Sequence, residues 1–200
     1  EAVPKSILLW RAILQWLGGI GIIVMAITLM PIMNVGGMQL FKTSNKDTAE
    51  KILPRSKQVT IRLITIYLFF TILCCLLYNI FGMSFFDSVT HSMTTLATGG
   101  FSNYNDSIGH FNSPPIEITS MIFVIFGSIP FIAYIKYLGG DKKIFFSDSQ
   151  IVAFFKIIIF SVIFMFIYLS IVNKSIFEIS LRSISFNVVS ILTGTGYVTK

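Results

Sequence analysis

Residues 85–101 read FFDSVTHSMTTLATGGF, a helix of about ten residues running into threonine and two glycines, with apolar runs of membrane-crossing length on either side. Lipid cannot hydrogen-bond free N–H and C=O groups, so polar backbone at that depth must be buried in protein or face a wet cavity. That requirement rules out a plain bundle of crossing helices and points to a re-entrant segment. A second copy lies near the end of the chain, where FNVVSIL runs into Thr193-Gly194-Thr195-Gly196-Tyr197. Laying Gly100 on Gly196 gives an offset of 96 residues. Without gaps, Phe70 then meets Phe166, Leu73 meets Leu169, Ile80-Phe81 meets Ile176-Phe177, Ser84 meets Ser180 and Leu96 meets Leu192.

Composition places both turns in a membrane. The chain is 54% hydrophobic and 12% charged, with a mean hydropathy of +0.80, far from the usage of soluble domains. No basic, short-cored, cleavable signal is read at the N-terminus. Apolar runs cover residues 7–33, 63–83, 116–138 and 151–172. Ten of the fifteen Lys and Arg fall within residues 42–62 and 136–156. The positive-inside rule puts these basic stretches in the cytoplasm and both glycine turns towards the outside. The net charge of +6 therefore reports membrane orientation, and no nucleic-acid partner is expected.

The predicted order is a returning helix over 1–33, a basic loop over 34–60 with an interfacial helix as the alternative there, and a pore-loop unit over 61–139. This unit comprises a helix, a pore helix at 85–96, a turn at 97–101 and a single crossing at 116–138. A loop over 140–150 and a second unit over 151–200 with its turn at 193–197 follow. Ser84 with Asp87 is a capping-box pattern that starts the pore helix and sets a carboxylate at its positive end. In the first run Gly18 and Gly21 share a face, with Gly19 beside them, and are expected to let another helix approach closely.

Glycine lets successive carbonyls point to one axis, and each short helix aims its partly negative end at the same place. That geometry stabilises a desolvated cation, with peptide oxygens replacing its water shell. The expected site is Ala97, Thr98, Gly99, Gly100 and Phe101 together with Thr193, Gly194, Thr195, Gly196 and Tyr197. Thr98, Thr193 and Thr195 add hydroxyls, while Phe101 and Tyr197 wedge the turns against the bundle. Neither turn holds a carboxylate, which favours a monovalent ion, bound as cargo at Thr98, Gly99, Gly100, Gly194, Thr195 and Gly196, with no cofactor.

Other residues have plainer readings. Arg11, with Trp10 and Trp16, reads as an interfacial anchor. Arg182 reads as reaching water or a headgroup, with an ion-repelling or ion-pairing role near the pore mouth as the alternative. Lys156 reads as snorkelling to the basic side. Cys74 and Cys75 are adjacent in an apolar run and read as small buried hydrophobes rather than a disulfide. His91 and His110, with Asp87 and Asp106, are a weak metal pattern. GGIG lacks the strand and spacing of a dinucleotide fingerprint. No serine, cysteine or carboxylate pair is set for catalysis, so no enzyme is expected. A broken-helix secondary transporter of another cation or small solute is the alternative function, and a non-transporting membrane scaffold is a third.

VPKSILLWRAILQWLGGIGIIVMAITLMP followed by GGMQLFK, then HSMTTLATGGFS and FNVVSILTGTGYVT, resemble the TrkH/KtrB branch of the Trk/Ktr/HKT potassium-transporter superfamily. The resemblance covers essentially the whole chain. It implies an all-α membrane protein of four helix, pore-loop, helix units with a filter glycine in each, those here being Gly100 and Gly196. It further implies potassium uptake across the bacterial inner membrane by a homodimer gated by a cytoplasmic TrkA-type nucleotide-binding ring. This sequence lacks the first filter, the fourth unit and the helix after the third filter, which in the family holds a gating loop. It reads as a central fragment carrying the second and third units, to be completed by the missing ones.

Overall fold

A computed structural model describes residues 3–33, 48–172 and 181–199, which form helices and turns with no strand among them. The helices are α1 (Lys5–Met33), α2 (Thr48–Ile80), α3 (Phe85–Leu96), α4 (Pro114–Ser128), α5 (Phe131–Leu138), α6 (Ile144–Ser147), α7 (Ser149–Val172) and α8 (Leu181–Leu192), with a 3₁₀ turn at Ser107–Phe111. By length and composition Gln58–Ile80 of α2 and Ser149–Ile171 of α7 can cross a membrane, and α4 with α5 passes the same test only as a bent pair, the shape of a broken span or of a re-entrant loop.

Residues 48–60, expected in a basic loop, are helical and lengthen α2 instead. Good helix formers dominate there (Ala49, Glu50, Lys51, Ile52, Leu53), which carries the helix beyond the apolar run. The rest of that loop, 34–47 with Lys42 and Lys46, lies outside the described residues, as does the link at 173–180.

The single crossing expected at 116–138 is two helices bent by 85°. Pro130 supplies no N–H and pushes Ile129 into extended backbone (φ −73°, ψ 137°), which ends α4. The carbonyl of Phe126, which an ordinary helix would bond to the residue at 130, accepts from Tyr134 Oη at 2.9 Å instead. Beside the bend lies a cavity of about 780 Å³ with an almost wholly apolar lining that includes Phe70, Phe126, Tyr134 and Phe155. Lys156 also lines it.

One apolar core holds the two halves together. Leu63, Tyr67, Cys74 and Tyr78 of α2 meet Leu96, Phe123 and Val124, and Phe186, Val189 and Tyr197 complete it from α8 and its turn. Cys74 is a buried free thiol in this core. The short helix α3 packs against α1, α2 and α4, while α8 packs against α4 and α7. Close approach on α1 occurs at Gly19, not at Gly18 or Gly21. A Cβ on Gly19 would come within 3.1 Å of both Ala97 Cβ and Tyr67 Oη, whereas Gly18 and Gly21 face open space.

Candidate functional site: two glycine turns in contact

The serine cap forms as expected, with the Asp87 carboxylate taking the Ser84 hydroxyl proton in place of the backbone N–H of a full capping box. Asp87 N donates to Ser84 Oγ at 3.1 Å, and Ser84 Oγ donates to Asp87 Oδ2 at 2.7 Å. Asp87 also gathers the chain leaving the first turn. Asn103 Nδ2 donates to Asp87 Oδ1 (2.8 Å) and to Thr90 Oγ1 (2.7 Å), and Tyr104 Oη donates to Asp87 Oδ2 (3.0 Å). Burial pushes the Asp87 pKa up, but the bonds from Asn103, Ser84 and Tyr104 outweigh it and hold the carboxyl below its usual range. Burial and the Asp87 carboxylate push Tyr104 the other way, upward.

Both turns trace the same backbone. Ala97 N bonds Met93 O, Thr98 N bonds Thr95 O and Gly99 N bonds Thr94 O. Ninety-six residues on, Thr193 N bonds Val189 O, Gly194 N bonds Ile191 O and Thr195 N bonds Ser190 O. Left-handed residues recur in register, Thr98 (φ +48°) with Gly194 (+73°) and Gly100 (+70°) with Gly196 (+82°). A hydroxyl one turn from the end of each short helix holds the chain as it leaves. Thr94 Oγ1 donates to Phe101 O at 2.9 Å, and Ser190 Oγ donates to Tyr197 O at 2.7 Å. The repeat read from sparse identities is thus a repeat of main-chain geometry.

The turns touch. A Cβ at Gly100 would overlap the carbonyl oxygen of Thr195 and come within 3.3 Å of the Gly196 carbonyl carbon, so only glycine permits this approach. Tyr197 is the wedge: it is buried, and its Oη lies 2.6 Å from Thr94 Oγ1, 3.3 Å from Thr95 Oγ1 and 3.3 Å from His91 O. Phe101 is not a wedge. It is 45% exposed and lies beneath the Arg11 guanidinium, 4.8 Å from centroid to Cζ. The threonine hydroxyls are engaged locally, Thr98 Oγ1 donating to Ala97 O (2.8 Å) and Thr193 Oγ1 lying 2.8 Å from Thr195 Oγ1.

Arg11 departs from its reading as an interfacial anchor. Its Nη2 donates to Ser102 O at 2.5 Å, at the exit of the first turn. Trp16 bonds Thr71 Oγ1 at 3.0 Å, joining α1 to α2, and Trp10 stays exposed. Arg182 pairs across the units while about a third of its side chain stays exposed. Its Nε lies 2.9 Å from Glu117 Oε2. Glu117 itself had no reading from sequence, although a lone carboxylate entering an apolar run was a usable signal. His91 spends both ring nitrogens inside the loop. Nδ1 donates to Asp87 O at 2.9 Å, which fixes the tautomer and leaves Nε2 to accept from Ser102 Oγ at 3.0 Å. His110 stacks on Tyr104, 3.6 Å between centroids. No group of three or more His, Cys, Asp or Glu is placed for a metal among the described residues.

Residues 1–199 match the TrkH family, described as cation transport protein. The chain is 38% identical over 198 residues to the Trk system potassium uptake protein TrkI of Halomonas elongata, covering 98% of this chain and 40% of that protein. It is 34% identical over 210 residues to the Trk system potassium uptake protein TrkH of Escherichia coli K12, covering all of this chain and 42% of that one. Among solved structures, the potassium transporter TrkH from Vibrio parahaemolyticus matches with a TM-score of 0.83 and 30% identity, over 99% of this chain and 40% of that chain. The chain thus spans about 40% of the length of these relatives, which are transport proteins and not enzymes. This all-helical, membrane-embedded chain belongs to the TrkH family of cation transport proteins.

Proposed function

We propose that the chain supplies the second and third pore-loop units of a potassium uptake pore, completed by further units of a longer polypeptide. The contact between Gly100 and the Thr195 carbonyl carries the reading. Two helix-to-glycine turns of the same trace meet edge to edge, the arrangement needed for carbonyls of several turns to surround one ion. Thr98, Gly99, Gly100, Gly194, Thr195 and Gly196 are the residues that would hold the dehydrated potassium ion. Ala97, Phe101, Thr193 and Tyr197 frame it. Relatives named as Trk system potassium uptake proteins support potassium as cargo. On this reading the protein sits in the bacterial inner membrane with its basic stretches cytoplasmic, as a homodimer gated by a TrkA-type nucleotide-binding subunit.

The test is Gly100→Ser and Gly196→Ser in the full-length protein, expressed in bacteria lacking their own potassium uptake. Both should lower the preference for potassium over sodium. Unchanged preference in both variants would refute the proposal.

A further inference from the structure

Glu117 stands in the first turn of α4, the helix that returns from the first turn. It is 3% exposed, and a carboxylate so buried is costly unless both oxygens are engaged. Oε1 accepts from Thr199 Oγ1 at 2.6 Å, and Oε2 lies 2.9 Å from Arg182 Nε, an ion pair in close contact whose two atoms are not aligned as a hydrogen bond. Arg182 is the second residue of α8, where a cation opposes the partly positive helix end. The carboxylate of the neighbouring unit offsets that repulsion.

Thr199 lies at the other end of the same pore loop. One carboxylate therefore contacts the start of α8 and the segment leaving its turn. Asn187 adds a bond from within α8, its Oδ1 accepting from Thr199 N at 3.3 Å. Asn187 Nδ2 also donates to Thr199 O at 3.5 Å, and further holds come from the preceding unit. Val198 N donates to Ser107 Oγ at 3.2 Å, and Val198 O accepts from Gly109 N at 3.1 Å. The first turn is braced in the same manner, since Arg11 on α1 donates to Ser102 O and α1 precedes that unit as α4 precedes the next.

We infer that Glu117 is a positioning residue for the second glycine turn. By tying Arg182 to Thr199 it fixes the span of the α8 hairpin, and so fixes where the carbonyls of residues 193–197 stand. This rests on the pore reading above. A salt bridge that merely stabilised the fold would alter the amount of protein and its melting temperature but leave ion preference alone.

The experiment uses full-length protein in potassium-uptake-deficient cells, scoring potassium-over-sodium preference, membrane abundance and the thermal midpoint of purified protein. Thr199→Val removes only the hydroxyl and leaves the Glu117–Arg182 pair. It should lower the preference about tenfold, the effect of losing one hydrogen bond to a charged group, at near-normal abundance, with Thr199→Ser restoring it. Glu117→Gln should lower the preference as well. The inference is overturned if folded Thr199→Val keeps the full preference, or if Glu117→Gln shifts only abundance and midpoint. Where Glu117→Gln does not fold, Thr199→Val and Thr199→Ser decide. Unmodified protein that takes up no potassium would instead refute the pore reading, so the two failures are distinct.

Discussion

Thr94→Val tests whether the two turns act as one unit. The Thr94 hydroxyl has a single proton and two close partners, Phe101 O at 2.9 Å and Tyr197 Oη at 2.6 Å. Thr90 O (3.3 Å) and His91 O (3.2 Å) are also within reach of that proton; when it goes to the nearest carbonyl, Phe101 O, Tyr197 donates to Thr94. A relay then runs from the second turn, through α3, to the exit of the first. Valine keeps the shape and removes the relay. The Phe101 carbonyl loses its donor, at a cost of about 0.5–1.5 kcal/mol for one hydrogen bond at a half-exposed residue. Tyr197 keeps Thr95 Oγ1 and His91 O, each at 3.3 Å, and loses less.

Tyr197→Phe leaves the bond from Thr94 to Phe101 O intact and should cost about 0.5–1.5 kcal/mol. The expected order in potassium-over-sodium preference is Thr94→Val worse than Tyr197→Phe, with the double variant milder than the sum, because neighbours in one network are not additive. Ser190→Ala removes the matching bond to Tyr197 O and should resemble Thr94→Val. Competitive uptake in potassium-deficient cells reads all four at matched membrane abundance. Tyr197→Phe equal to or worse than Thr94→Val, with an additive double, would refute the relay.

Two further substitutions probe the packing around the turns. Gly99→Ala places a Cβ on the Gln15 side chain, which is flexible, so uptake lost in Gly99→Ala should return in the Gln15→Ala background. Gly127→Ala meets Leu96 O at 2.6 Å, fixed main chain that cannot step aside. It should lower the thermal midpoint of purified protein by the equivalent of about 1–3 kcal/mol, and an unchanged midpoint would contradict the packing described.

Local signals were the legible ones. The bounds of α3 follow from a capping serine, helix length and glycine, all within a few residues of the feature they determine, and α3 runs from Phe85 to Leu96 as expected. The 96-residue repeat was also legible, because Gly100 and Gly196 share a left-handed position that favours glycine and a few packing residues around them coincide in the same register. Pairings across the chain were not. Arg11 reaches a carbonyl 91 positions away, and Glu117 engages a hydroxyl 82 positions away. Nothing near either residue names its partner. Periodicity marked a small-residue face on α1 but not which glycine α3 would meet, and the single crossing read over 116–138 missed the 85° bend at Pro130.

Thr98 shows how far the turn depends on the helix behind it. A β-branched residue at φ +48° is an outlier that costs on the order of 1–3 kcal/mol and persists only where the surroundings enforce it. The repeat places glycine at the equivalent position, 194, where the same trace carries no such strain. The difference lies in α4. Gly127 has no side chain, so this helix comes close enough that a Cβ there would be 2.6 Å from Leu96 O and 3.2 Å from Thr98 Cγ2. The Thr98 methyl group thus occupies the space beside Gly127, while its hydroxyl donates to Ala97 O at 2.8 Å. Contact and hydrogen bond offset the strain and leave a stiffer turn than glycine would. The first turn is therefore held by its own side chain against α4, whereas the second relies on Tyr197 inserted into α3 and on Glu117 from the neighbouring unit.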